Sequence, residues 1–512
     1  MILAVEFFSA KDGNKSAKAN GISLHSSYNT QAEAERFVQN LEADFKPACV
    51  VIIEGALGYC APCLRKRFPN AKIGVIRFSK DFFESDKLFD FSLPLESEAD
   101  LSERLFDILG EENLFQSLFF EWPPSAKVWP QQTKEAWLEV KAAMEKAKSV
   151  LATREYFGKR WLKNKILFFT RIKRAAIIKK IDRPVLICAS GPSLESALPS
   201  IKKNREKLFV CALSSSISVL ERFGIEPDAC MSEDGGYWAK KHLEILEKSF
   251  PKSPLILSSE AACPSSLFEN KTVVPLCYDD DFFSKKIFDE LGIKHLPARR
   301  NGTVSGSALE LFLELASGPI FFSGLDMQSW PTKSHARPNA LDGESESKDF
   351  RLRPKALRAA KGSFNNPSLE IYAGWFSSRN FGGRKVYRIK GYEDFKRSLG
   401  QIIDISLEAF EALLARANDG SAGDAGNAGD AGNAYPAFCL DGSEPIQNKE
   451  RTKAIEKIFS EWTKSDNFRE EIFPADSILA KREIKTESKE KRNQLIEEKT
   501  KKLFAELFKG KD

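Results

Sequence analysis

The chain has 512 residues, enough for about three domains of ordinary size. Its 42% hydrophobic and 29% charged residues are a globular composition, which excludes collagen-like, wholly disordered and membrane-bundle classes. The 77 basic residues against 72 acidic ones leave a net charge of +5, too even a balance for nucleic-acid binding, where basic residues are concentrated.

The opening MILAVEFFSAKDGNK carries neither a basic n-region nor a small-residue cleavage site, so no signal peptide is expected. Residues 1–125 read as a small N-terminal α/β domain. The β-branched runs CVVIIEG (49–55) and KIGVIRF (72–78), with a helical stretch between them, predict a parallel pair. Between them lies Cys60-Ala-Pro-Cys63, which reads either as a redox pair at a helix start or, after E-G-A-L-G-Y, as part of a nucleotide-binding-like βα turn that lacks G-x-G-x-x-G. Residues 126–182 form a helical connector. From 183 to 400 the runs PVLICAS, KLFVCALS, DACMSED, SPLILSS, TVVPLCY and GPIFFSG alternate with helical segments. That alternation predicts a Rossmann-like, mostly parallel sheet covered on both faces. The apolar stretch 304–325 contains Glu310, Glu314 and Gly318, so it reads as a helix and a buried strand, and no transmembrane segment is expected. Residues 401–512 form a helical C-terminal region. Its segment 418–433, with AGDAGN repeated at 422–427 and 428–433, is a flexible Gly/Ala/Asp linker. Leu495, Ile496, Leu503, Phe504, Leu507 and Phe508 recur at helical spacing, as a docking helix or as a membrane-surface attachment. The nine cysteines are odd in number and several lie in apolar runs, which suits reduced, buried thiols of a cytoplasmic protein.

Four places bear on chemistry. Ser190-Gly191-Pro192-Ser193 follows PVLICA. Its glycine permits a tight turn and its proline suits the first helical position, so it is either an anion site at a helix start or a plain βα turn. Gly224-Ile-Glu-Pro-Asp228 precedes Glu233 and Asp234 at a strand end, where ligands collect in such sheets. Asp234 is the stronger functional candidate, and Glu233 is equally readable as a solvated loop acid. Thr303, Ser305, Gly306 and Ser307 open a helix with a hydroxyl-rich cap, and the next strand delivers Asp326 to the sheet's carboxyl edge. Of the four histidines (His25, His242, His295 and His335), only His335 follows a strand-end acid, which makes it the candidate general base. Asp279-Asp280-Asp281 satisfies a D-x-D metal pattern, but Phe282 and Phe283 after it make a helix start the simpler reading.

In order, these motifs resemble the motility accessory factor family, whose central domain is shared with archaeal pterin diphosphokinases. The resemblance is carried by Gly191-Pro192-Ser193-Leu194, by the G-I-x-P-D run with Asp234, and by G-T-V-x(3)-A-L at 302–309. It is carried also by G-x-D at 324–326 with Ser334-His335-Ala336, and by LHSSYNTQAEAERFV near the N-terminus, where Thr30 stands in place of the usual proline. The central pattern is also similar to bacterial sialyltransferases, from which it departs at Ser190, where asparagine is usual. The resemblance implies transfer of a pseudaminic- or legionaminic-type nonulosonic acid from a CMP-activated donor to Ser/Thr of flagellin, in support of motility. It implies His335 as base, Asp326 as an orienting group, and Gly191, Pro192, Ser193, Ser214, Asp234, Thr303, Ser305 and Gly306 as the nucleotide-sugar set. Arg299, Arg300, Lys333 and Arg337 would pair with the donor's charges or lie solvated. No tightly bound cofactor, no metal ligands and no Mg²⁺ requirement follow from that chemistry. The alternatives are pyrophosphoryl transfer from ATP to a hydroxymethylpterin and a non-catalytic flagellin-binding assembly factor.

Overall fold

The computed structural model describes residues 5–97, 100–328, 330, 335–343, 347, 349–352, 354, 367–391, 395, 397–419, 440–441, 450–483 and 486–508. The chain divides into two compact units, Met1–Lys159 with Glu461–Asp512, and Arg160–Ser460.

The first unit opens with an antiparallel meander, β1 (Val5–Ser9), β2 (Lys15–Ala19) and β3 (Ile22–Ser23). A parallel sheet follows, built from β4 (Cys49–Ile53), β5 (Lys72–Arg77), β6 (Phe91–Pro94) and β7 (Ser117–Glu121) in the order β6-β5-β4-β7. The run CVVII is apolar throughout because both faces of β4 are covered: Val50 and Ile52 enter one core cluster, Val51 and Ile53 the other. The helix Cys60–Arg67 fills the gap between β4 and β5. Burial pushes the thiols of both Cys60 and Cys63 up, the opposite of what a redox pair needs. The helix Thr486–Phe508 buries Ile496, Leu503 and Leu507 while Leu495 stays exposed, the pattern of a docked helix.

Among the described residues, the sheet of the second unit has nine parallel strands. They are β9 (Val185–Cys188), β10 (Phe209–Leu213), β11 (Ala229–Ser232), β12 (Leu255–Ser258), β13 (Val273–Tyr278), β14 (Leu296–Ala298), β15 (Ile320–Ser323), β16 (Val386–Ile389) and β17 (Ile403–Ile405). A separate antiparallel pair joins β8 (Ile177–Ile178) to β18 (Leu440–Asp441). The sheet order is β14-β13-β12-β11-β10-β9-β15-β16-β17. The chain therefore winds outward from β9 to β14, then returns to β9's other side at β15. The architecture is the α/β one expected: a central Rossmann-like parallel sheet, a smaller N-terminal α/β part and C-terminal helices. The tandem AGDAGN repeats, Cys439, Lys333 and Ser334 lie outside the described residues. Among the described residues no helix is long and apolar enough to cross a membrane.

Candidate active site

The strand order reverses between β9 and β15, and in open parallel sheets the crevice beside such a reversal is where ligands bind. The two loops leaving these strands are pressed together there. Ala189 N donates to Ser323 O at 2.8 Å and Gly191 N to Gly324 O at 2.8 Å. A Cβ on Gly191 would stand 2.5 Å from Asp326 Cγ, and one on Gly324, whose φ is +80°, would stand 2.5 Å from Ala189 O. Both glycines are therefore required by the approach of the two strand ends.

Asp326 closes this junction. Its carboxylate accepts from Ser193 N at 3.1 Å, from Ser193 Oγ, and from Trp330 Nε1 at 2.6 Å. Burial raises its pKa, and the hydrogen bonds from Ser193 and Trp330, with the Arg388 charge, oppose that shift. The turn consequently differs from the expected anion site. Gly191 and Ser193 have spent their N–H groups on Gly324 and Asp326, Pro192 has none, and Leu194 N bonds to Gly191 O at 3.0 Å. The donors that the sequence places at this helix start exist, but the fold itself uses them.

His335 lies at the same edge. Its Nδ1 is 3.2 Å from Ser190 Oγ, and Ala336 N donates to Ser190 O at 2.7 Å. Arg337 N donates to Glu195 Oε1 at 2.9 Å, so the chain just after His335 is fixed to the turn that follows β9. The imidazole keeps an exposed edge, yet desolvation lowers its pKa below the ordinary 6.5, with the Asp342 carboxylate pulling the other way. The ring is thus neutral at pH 7. In the tautomer whose Nδ1–H donates to Ser190 Oγ, Nε2 would carry the free lone pair.

The other predicted residues spread along the carboxyl edge. Ser214 is buried at the end of β10, where its neighbour Ser216 donates to Cys188 O at 2.7 Å. Asp234 is exposed after β11 and accepts from Gly236 N at 2.7 Å. Thr303 caps the helix Val304–Leu315 by accepting from Gly306 N at 2.9 Å, and Ser305 is half-buried in its first turn. Ser307 in that turn faces Glu233 at the end of β11, two strand spacings or about 10 Å from β9.

Arg300 is not free for a donor's charge. It grips Glu260 at 2.6 and 2.7 Å and Asp280 at 3.0 Å, and lies 4.1 Å over the Tyr278 ring. Lys165, itself buried, completes the cluster at 3.2 Å from Glu260 and 3.0 Å from Asp281. Lys165 and Arg300 hold the Glu260 carboxyl down to about 2. Asp281 caps the helix Phe282–Glu290, so the acid run serves a helix start and this cluster. Arg299 sits on the surface 3.7 Å from Asp279.

Three groups named in the sequence take on surroundings that it did not foretell. Ser190 is the partner of His335. Glu233 is no solvated loop acid: burial pushes it up to about 7, against the Ser307 and Tyr278 hydroxyls and Arg300. His242, on the helix Tyr237–Leu243, is buried and held down to about 4 by desolvation and by His335, with Asp234 opposing. Buried polar atoms with no hydrogen-bond partner among the described residues lie along this edge, among them Ser232 Oγ, Glu233 Oε1, His242 Nδ1, Asn301 Nδ2 and Ser323 Oγ. Such atoms are rare in folded interiors, which makes this edge a candidate place for a polar ligand.

Residues 160–329 match the family model described as 6-hydroxymethylpterin diphosphokinase MptE-like. An uncharacterized protein of Treponema pallidum (strain Nichols) is 33% identical over 282 residues, 54% of this chain and 60% of that protein. A second uncharacterized protein of the same strain is 24% identical over 199 residues, 36% of this chain and 34% of that one. The chain thus spans less than two thirds of the length of these relatives. The solved structure of a MAf glycosyltransferase from Magnetospirillum magneticum AMB-1 has the same fold, with a TM-score of 0.53 at 12% identity over 98% of this chain and 91% of that one. The MptE-like domain and the fold are those the ordered motifs implied.

Proposed function

We propose that the protein is a glycosyltransferase that moves a nonulosonic acid from a CMP-activated donor to a Ser or Thr hydroxyl of flagellin in the cytoplasm. The fold shared with a MAf glycosyltransferase supports the reaction class. The observation that carries the mechanism is the Ser190–His335 pair at the sheet's reversal point. The acceptor hydroxyl oxygen attacks the anomeric carbon of the donor. The new C–O bond forms as the bond from that carbon to the phosphate oxygen breaks, and CMP departs with the bonding pair. The acceptor proton passes to His335 Nε2, a task suited to an imidazole that is neutral near pH 7. Asp342 favours the charged ring that results. Asp326 acts one step back, holding the turn that bears Ser190.

The test is intact-mass analysis of flagellin incubated with the protein and CMP-pseudaminic or CMP-legionaminic acid. A shift of one sugar residue is expected. No shift with either donor refutes the reading, and modification that survives His335→Ala refutes the role of the base. Pyrophosphoryl transfer from ATP is the second reading, favoured by the family-model match over 160–329. Conversion of hydroxymethylpterin to its diphosphate with ATP and Mg²⁺, without flagellin modification, would establish it instead. Flagellin binding with neither reaction would mark a non-catalytic assembly factor.

A further inference from the structure

The helix Tyr237–Leu243 follows β11 and turns Ala239, His242 and Leu243 inward at i, i+3 and i+4. It packs on the turn Ser214–Ser216 at the end of β10, which places it over the carboxyl edge of the sheet. A histidine on such an inward face is ordinarily a core residue with a satisfied ring. His242 is only 8% exposed, yet its Nδ1 has no hydrogen-bond partner among the described residues. Leaving such a group unpaired costs about 1–3 kcal/mol. The turn Ser214–Ser216 ends the strand next to β9, whose own end carries Ser190 with its partner His335, so His242 lies at the edge that holds the proposed base. Meanwhile the turn amides that ordinarily receive a phosphate are committed to Gly324 and Asp326, and Arg300 is committed to Glu260 and Asp280. A further buried N–H at this edge would be open to an anionic donor.

We propose that His242 is an anion-binding residue of the donor site, its Nδ1–H donating to a phosphate oxygen of the nucleotide-sugar. The proposal rests on the glycosyl-transfer reading and adds the group that holds the leaving phosphate. A neutral ring suits the role, because a desolvated N–H donor strengthens as charge builds on the departing oxygen.

The probe is CMP alone, measured by calorimetry, with cytidine as the control that lacks the phosphate. Asparagine places an N–H near the position of Nδ1, glutamine near that of Nε2, and phenylalanine keeps the ring's bulk without either. His242→Phe and His242→Gln are expected to weaken CMP binding about 10- to 100-fold, while His242→Asn stays close to the wild type and cytidine binding is unaltered. In the wild-type protein labelled at its four histidines, the Nδ1 resonance of His242 is expected to move on addition of CMP. Equal CMP binding by the wild type and His242→Phe overturns the proposal, as does asparagine rescuing no better than glutamine, or an unmoved resonance. A wild-type protein that binds no CMP overturns the glycosyl-transfer reading as well, so the two failures are told apart.

Discussion

Asp326 offers the sharpest test of how the crevice is assembled. Its two oxygens take three donors, Ser193 N, Ser193 Oγ and Trp330 Nε1, and the residue is 4% exposed. Asp326→Leu keeps the volume and strands all three. At about 1–3 kcal/mol for each unpaired buried donor, and with some relaxation of the turn, the loss should reach about 3–5 kcal/mol. Asp326→Asn keeps one oxygen for Ser193 N and Trp330 Nε1 and offers its N–H to Ser193 Oγ, so it should cost about 1 kcal/mol or less. For a body the size of the second unit, roughly 2 °C per kcal/mol, the leucine variant should melt about 6–10 °C lower and the asparagine variant about 2 °C lower. The sign of the pH effect follows from the carboxyl being raised above 3.8 by burial. Its contribution is full below the unfolded value and fades as pH climbs through the folded one, so the asparagine variant should gain on the wild type with rising pH. Differential scanning calorimetry of the full chain reads all three. Leucine and asparagine variants melting within 2 °C or so of each other would refute the latch.

Other consequences are equally direct. Glu233, raised from 4.5 to about 7, stabilises the fold below pH 4.5 and loses that contribution as pH rises through about 7; Glu233→Gln should flatten the pH–stability curve over this range by up to roughly 3 kcal/mol in urea titrations. His335, lowered below 6.5, should give a transfer rate that falls only on the acid side of that value, and His335→Gln should lower kcat about 10²- to 10⁴-fold in the flagellin assay with CMP affinity unchanged. Since burial raises both thiols of the C-x-x-C pair, Cys60 should resist iodoacetamide in the native protein and Cys63 should react slowly at pH 8. Fast alkylation of either in a mass-spectrometric time course would contradict that.

What the sequence made legible follows from physics that is local. Strands β9 to β13 and β15 are apolar runs bounded by turn residues, because both of their faces are covered. Strand β16 escaped because Val-Tyr-Arg-Ile does not read as buried. Arg388 is nevertheless fully buried, opposite Asp404 in the register of β16 with β17, and grips it at 2.6 and 2.8 Å. Each charge hides a strand that only its partner makes tenable. Strand β14 is three residues long with a central proline and leaves almost no pattern. At the site, Gly191, Asp326 and His335 could be named because glycine, strand-end acid and loop histidine have recognisable roles. His242 could not, since it looks like any inward residue of a short helix and only the missing partner of Nδ1 distinguishes it. A sequence lists the donors; the fold decides which of them remain unspent.

That distinction bears on where the proposed donor would sit. In an open parallel sheet the first turn after the reversal point ordinarily receives an anion on its amides. Here the Asp326 carboxylate already sits on Ser193 N, so the protein's own anion fills the place. On the β10–β11 side, by contrast, atoms of Ser232, Glu233 and His242 have no hydrogen-bond partner among the described residues, and the proposed donor site is placed there. Its far wall, at the ends of β12 to β14, is the cluster of Lys165, Glu260, Asp281 and Arg300, whose charges satisfy one another. Substitution in that wall should then appear as lost stability, and substitution at His242 as lost CMP affinity, although both change buried cationic or ring nitrogens at the same edge of one sheet.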